Sequence, residues 1–290
     1  MTGTISAHTP SRDREGSGHS DAGARESWRT EMRIGIVFLA IAAVAAPPEA
    51  IKWIAHRGGV VDPAIAENSR ASLEAAIQRG YWMIESDIRE TRDGRIITQH
   101  DPDFRQFYGD PRKVSEMTLA DVLKLRATPG GTPPMTFHEL AAACSGRLRL
   151  MLDIKEPEHK PAFYREIERE MRAAGLLDSA YLIGLDSARQ YFKGKLRVSA
   201  NPKQLEEAVS RGEDVSKLYF LFEWGKTLEP ERIELARRHA VSIVPSVNTF
   251  HYGSGMAESI RLGSADIKRL RKLGVKEFQI DSVYEPAFRD

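Results

Sequence analysis

From Ile51 onward, short apolar runs rich in β-branched and aromatic residues alternate with amphipathic stretches of helical period. That alternation constrains the fold most, because strands separated by helices pair in parallel within one sheet. The candidate strands are 51–56, 82–88, 147–154, 180–185, 195–200, 217–222, 241–247 and 276–281. Helices are clearest over 68–79, 161–174, 202–210, 229–239 and 264–273, with Gly80, Gly175, Gly212 and Gly274 where they should stop. In the last of these, Ile267, Leu270 and Leu273 share one face while Lys268, Arg269, Arg271 and Lys272 face water. Eight strands alternating with helices predict an α/β fold, a (β/α)8 TIM barrel. An open, doubly wound sheet has the same periodicity and stands as the alternative. Residues 101–146 break the rhythm with a Pro/Gly-bearing loop, a helix start at Thr118-Leu119-Ala120-Asp121, a Pro/Gly linker and a helix over 136–144. They read as a small insertion after the second strand, over the barrel mouth.

Composition narrows the partners. Lys and Arg total 42 against 41 Asp and Glu, a formal net charge of +1, with none of the basic excess of a nucleic-acid binder. A single cysteine, Cys144, excludes an internal disulfide framework and a multi-cysteine zinc site, and reads as a small helix-packing residue. The first 50 residues differ from the rest. Residues 1–33 are rich in Ser, Gly, Thr and charge and should be disordered. Ile34 to Ala46 then carries no charge and exits through small residues into Pro47-Pro48. This run falls short of the ~20 residues that span a bilayer and resembles a signal-peptide core, with translation starting at Met32. The expectation is a leader over 1–50, an exported (periplasmic or secreted) catalytic domain over 51–290, and no stable membrane span after cleavage. Anchoring by residues 34–46 is the alternative. The sequence sets no oligomeric state.

In a parallel barrel, functional side chains gather at the carboxyl ends of strands. His56 ends the first run, Glu85 and Asp87 the second, and Asp153 with Lys155 the third, while His100 follows Ile96-Ile97-Thr98-Gln99. Glu85 and Asp87, two apart on a strand, point the same way. Paired carboxylates repel unless a cation lies between them or one is protonated. With Asp153 they make an all-oxygen set suited to Mg2+ or Ca2+ rather than zinc. Each residue alone has a bland reading: a strand-end cap, a local ion pair, a core histidine. Together, at neighbouring strand ends, they point to acid/base chemistry beside a cation. Arg57 and Lys155 would oppose an anionic substrate such as a phosphate. Gly58 and Gly59 allow close backbone approach to a ligand, or simply a turn. Asn68 either caps the following helix or reaches metal or substrate with its amide.

The ordered set His56-Arg57-Gly58, Glu67-Asn68, Glu85-x-Asp87, Thr91-x-Asp93-Gly94 and His100-Asp101 resembles the signature of the glycerophosphodiester phosphodiesterase family. The likeness extends to Pro134-Met135-Thr136-Phe137-His138-Glu139-Leu140, to Asp153-Ile154-Lys155 and to Gln279-Ile280-Asp281-Ser282, within residues 51–286. The resemblance implies a small-molecule phosphodiester substrate, split to an alcohol and glycerol 3-phosphate. It implies one divalent cation, Ca2+ or Mg2+, on Glu85, Asp87 and Asp153, with Arg57 and Lys155 neutralising the remaining charge. His56 and His100 would be general acid and base while a neighbouring substrate hydroxyl attacks phosphorus and water then opens the cyclic phosphate. The family usually has Glu where this chain has Asp153. An Asp there is also similar to the sphingomyelinase D/phospholipase D branch, which would act on lysophospholipids. A non-catalytic phosphate- or lipid-binding relative is the third reading, and the presence of both histidines and all three carboxylates stands against it. Phe222-Glu223-Trp224 and Val247-Asn248-Thr249-Phe250-His251-Tyr252 would line the alcohol-side pocket or pack the loops, with His251 a further candidate for ligand contact.

Overall fold

The computed structural model describes residues 50–253 and 255–288. The leader expected over 1–50 lies outside these, save Ala50. Eight strands form the barrel: β1 Lys52–Ala55, β2 Met83–Glu90, β3 Arg149–Ile154, β4 Tyr181–Gly184, β5 Arg197–Ala200, β6 Tyr219–Trp224, β7 Ser242–Val247 and β8 Glu277–Ile280. Each pairs in parallel with its chain neighbour, and β1 pairs with both β2 (Ile54↔Met83) and β8 (Ala55↔Ile280), which closes the ring. Closure excludes the open doubly wound alternative and leaves these eight strands without a free edge.

Strand period places the chemistry. Ile54, Met83, Met151, Tyr181, Ile183, Phe220 and Val244, drawn from six strands, form one buried cluster, so this parity faces the barrel axis. The opposite parity, including Ala55, Ile84, Leu150, Leu182 and Val198, packs outward in a larger cluster with the helices. Two residues beyond the axial ones come His56, Glu85, Asp153, Phe222 and Ser246, which the same parity aims into the mouth.

The helices follow their sequence signals. Pro161–Ala173, Pro202–Ser210 and Pro230–Arg238 each open on the proline whose missing N–H a first turn does not need. Pro161–Ala173 buries Phe163, Tyr164, Ile167 and Met171 along one stripe. Gly80, Gly175, Gly212 and Gly274 follow helix ends at φ of +79°, +69°, +73° and +82°. Among the described residues no helix is long and apolar enough to cross a membrane.

The structure departs from the sequence reading in four places. Helix Asp186–Phe192 was not anticipated, and the last helix runs Met256–Lys272 rather than from 264. β2 continues past the rim and pairs antiparallel with Ile96–Thr98, so Glu85 and Asp87 lie mid-strand rather than at its end. The helix Phe137–Cys144 buries Phe137, Leu140, Ala141, Ala143 and Cys144 against the main core as a return helix before β3. The inserted part is therefore shorter than 101–146. It carries a two-stranded ribbon, Asp103–Phe104 with Asp110–Lys113, and a satellite core of Ile97, Phe104, Val114, Met117 and Val122.

Candidate active site

His56 directly follows β1, and its N–H still donates to Ile280 O at 3.0 Å. Its ring Nδ1 lies 2.6 Å from Asp281 Oδ1, just past β8. A carboxylate at Nδ1 assigns the ring proton there and leaves Nε2 facing the mouth, 4.0 Å from Glu85 Oε2. Asp281 is itself held: Thr249 donates from N (2.7 Å) and Oγ1 (2.8 Å), and Asn248 Nδ2 at 3.1 Å. Burial opposes its charge, but the His56 ring and the Thr249 donors outweigh burial and keep the carboxyl well below the usual carboxylate range.

The second histidine is arranged alike. Gln99 N donates to Asp87 O at 3.0 Å, which fixes the chain leaving Ile96–Thr98, and His100 Nδ1 lies 2.8 Å from Asp101 Oδ1. His100 Nε2 accepts from Arg57 Nη2 at 3.4 Å, consistent with a bare Nε2. Both imidazoles are thus anchored through Nδ1, and both act on the charge of Asp87.

Between them sit the carboxylates. One ligand oxygen from each of Glu85, Asp87 and Asp153 lies within 4.8 Å of the others. Register explains this: Asp87 and Asp153 are direct partners on β2 and β3, and Glu85 is two residues earlier on the same face. Glu85 Oε2 accepts the Arg57 N–H at 2.8 Å, whereas Oε1 is buried without a hydrogen-bond partner. Burial, then the Asp87 and Asp153 charges, pushes Glu85 well above its ordinary range. Burial also raises Asp87, but the Lys155 ammonium with His100 and His56 more than reverses this and leaves it lowered. Lys155 Nζ bridges Asp87 Oδ1 (2.8 Å) and Asp153 Oδ2 (2.6 Å). An orphaned buried oxygen in an all-carboxylate set fits a hard divalent cation.

Arg57 stands at φ +56° and donates from Nη1 to Glu67 Oε2 at 2.7 Å. The turn that carries it needs glycine: a Cβ on Gly59, at φ +135°, would lie 2.1 Å from Ser72 O. Of the two roles open to Asn68, the helix cap falls to Ser69, whose side chain accepts from Ser72 N. Asn68 takes φ +51°, accepts at Oδ1 from Ser86 Oγ and Asp87 N, and donates from Nδ2 to Asp87 Oδ2 at 2.6 Å. Its amide holds a carboxylate of the cluster.

The sequence profile of the Glycerophosphoryl diester phosphodiesterase family matches residues 56–281. The chain belongs to this family. A glycerophosphodiester phosphodiesterase of Bacillus subtilis is 34% identical over 80 residues, 28% of this chain and 27% of its own. A Mycobacterium tuberculosis protein named "Probable glycerophosphodiester phosphodiesterase 2" is 31% identical over 102 residues, 35% of this chain and 38% of its own. The chain thus matches about a third of the length of these curated relatives. The structure of an Oleispira antarctica phosphodiesterase in complex with the product sn-glycerol-3-phosphate is similar in fold, with a TM-score of 0.59 and 15% identity over 83% of this chain and 96% of that one.

The family motifs divide into site and scaffold. His56, Arg57, Glu85, Asp87, His100, Asp153, Lys155 and Asn68 converge at one mouth. Thr91-Arg92-Asp93-Gly94 makes the turn between β2 and Ile96–Thr98: Thr91 Oγ1 donates to Asp93 Oδ1 at 2.6 Å, and Gly94 takes φ +73°. His251 is buried beneath Trp224 and Phe250, ring centroids at 4.8 and 4.3 Å. Burial, then the His56 and Lys226 charges, lowers its pKa to about 4. Cys144 is buried and its thiol pushed up to about 12, as inert packing requires. Sequence reading held Asp281 only within a family motif and Asn248 only within the 247–252 stretch, with no link to His56, and it passed over Arg89, although strand-end parity applied to β7 and β8 marks the first two. The mouth beside His56 and Arg57 is a cavity of about 320 Å³ whose far wall is Phe250, Met256 and Val283. A larger hollow of about 760 Å³ lies on the flank around Arg95 and His138, lined by the Arg92–Gly94 turn but by none of the groups that converge at the mouth.

Proposed function

We propose that this protein hydrolyses glycerophosphodiesters to an alcohol and glycerol 3-phosphate with one divalent cation, Ca2+ or Mg2+. The observation that carries the reading is the pair of carboxylate-anchored imidazoles beside one carboxylate cluster: His56 Nε2 lies 4.0 Å from Glu85 Oε2, and both rings act on the charge of Asp87. Glu85, Asp87 and Asp153 would hold the cation, which when bound draws charge from the phosphoryl oxygens. Arg57 and Lys155 supply fixed positive charge to the anionic diester. One imidazole Nε2 takes the proton of the substrate hydroxyl adjacent to phosphorus, and the other, protonated, gives its proton to the departing alcohol. The roles then reverse as water opens the cyclic phosphate. Asp281 and Asp101 keep each ring in one tautomer through both halves. The test is release of glycerol 3-phosphate from glycerophosphocholine or glycerophosphoethanolamine. His100→Ala lowers kcat at least about 100-fold, and an unaffected His100→Ala removes the assigned acid/base pair.

One observation favours a second substrate class at the same site. Trp224 at the end of β6, and Phe250, Met256 and Val283 in the segments after β7 and β8, are large apolar residues left exposed, and three of them wall the mouth cavity. Such a wall suits the single acyl chain of a lysophospholipid. Phe250→Ala then raises KM for lysophosphatidylcholine and leaves glycerophosphocholine unchanged; equal effects on both sink this reading. We further propose that the protein acts outside the cytoplasm, on the support of the uncharged run 34–46. N-terminal sequencing of the mature protein tests this, and a start at Met1 contradicts it.

A further inference from the structure

Arg89 lies on β2, two residues beyond Asp87 and on the same face, and its side chain is 10% exposed. Its guanidinium forks onto one atom of the site: Nε (3.0 Å) and Nη2 (2.6 Å) both donate to the main-chain carbonyl of His100. The remaining nitrogen, Nη1, donates to Glu156 Oε1, in the loop after β3. Glu156 Oε2 lies 3.4 Å from His159 Nε2, and His159 Nδ1 lies 2.7 Å from Glu90 Oε2, back on β2. The His159 ring is 2% exposed and stacks on Phe163 at 3.7 Å, so this end of the chain of contacts is fixed by packing.

We propose that Arg89 is a positioning residue for His100. Asp101 orients the imidazole, but it is the adjacent residue on the same loop and cannot fix that loop relative to the barrel. The Arg89 fork ties the His100 carbonyl to β2, and Glu156 with His159 ties the fork to β3 and its following helix. The distance from His100 Nε2 to the carboxylates is then set by the two strands that carry them. A planar fork satisfies one carbonyl twice and a carboxylate once; a lysine ammonium cannot reproduce that geometry. Arg89 makes no hydrogen bond or ion pair with Glu85, Asp87 or Asp153, so its effect passes through His100.

The inference rests on the proposed role of His100, and the experiment separates the two. Steady-state kinetics on glycerophosphocholine and calorimetric binding of Ca2+ or Mg2+ alone are measured for wild type, His100→Ala, Arg89→Lys and Glu156→Gln, with thermal melts for each. Glu156→Gln is a partly exposed isostere and gives a folded variant if Arg89→Lys does not fold. Arg89→Lys is expected to lower kcat about 10- to 100-fold with KM within about threefold and cation affinity unchanged. Glu156→Gln should shift the same parameter the same way by less. Wild-type kcat in the folded variants, or a loss shared by KM and cation affinity, overturns the positioning role. An inactive wild type, or a His100→Ala variant as active as wild type, overturns the functional reading instead.

Discussion

Asp281 is the residue whose role is easiest to separate from general acidity. It accepts from His56, Asn248 and Thr249, so Asp281→Asn keeps the volume but loses the anion that holds His56 Nδ1–H. We expect kcat to fall about 10- to 100-fold, read by initial rates, in line with the loss of a group that orients a reacting side chain. The same carboxyl is held below its unfolded value of ~3.9, so it contributes stability that is full above about pH 4 and is lost as pH falls through its folded value. The stability gap between wild type and Asp281→Asn should therefore shrink below about pH 4 in denaturant titrations at stepped pH. A gap that stays constant contradicts the stabilised Asp281 carboxylate. At this scale the sequence was informative where a residue type and a strand end coincided with a motif, as at His56, and where two carboxylates two apart share a face, as at Glu85 and Asp87. It gave no specific role where identity alone is ordinary. Asp281 and Asn248 gain meaning only because β7 and β8 stand beside β1, and Arg89 only because a loop carbonyl reaches it. Asn68 shows the limit from the other side: the cap open to it in sequence falls to Ser69, and its amide holds Asp87, a contact no local pattern announces.

The turn between β1 and helix Arg70–Gln78 is the element on which the site depends most. Gly58 and Gly59 press against Asn68 and Ser72, and Gly58 N donates to Glu85 O at 2.6 Å, so the turn locks β1 to β2 beside the carboxylates. Gly59→Ala combines a disfavoured φ with a clash against backbone, and should cost about 2–4 kcal/mol in urea denaturation. A neutral substitution would show that the turn has room to relax. The strands of the barrel and most of its helices were legible because period 2 and period 3.6 each survive over their length. Asp186–Phe192 was not, since seven residues with only Ala188 and Phe192 buried carry no resolvable period. The start of Met256–Lys272 was hidden because Met256 and its neighbours are exposed rather than apolar-periodic. The strand Ile96–Thr98 was read only as the approach to His100. Its pairing with β2 is antiparallel, a contact that the β/α alternation does not announce.

For the whole molecule, barrel closure brings chemistry from both ends of the sequence to one mouth: His56 and Asp281 are 225 residues apart and 2.6 Å from each other. Burial opposes the charge of both Glu85 and Asp87, so the cluster calls for counter-charge. Lys155 supplies part of it, and Glu85 Oε1, buried and unpartnered, marks where more positive charge belongs. The central claim is that this one cluster, with a divalent cation and two imidazoles, cleaves a phosphodiester. The most direct measurement is glycerol 3-phosphate release from glycerophosphocholine by wild type and His56→Ala, each with Ca2+ or Mg2+ and with EDTA. Turnover by wild type that EDTA abolishes and the metal restores, with His56→Ala inactive throughout, is the predicted result. Turnover that survives both EDTA and His56→Ala would contradict it.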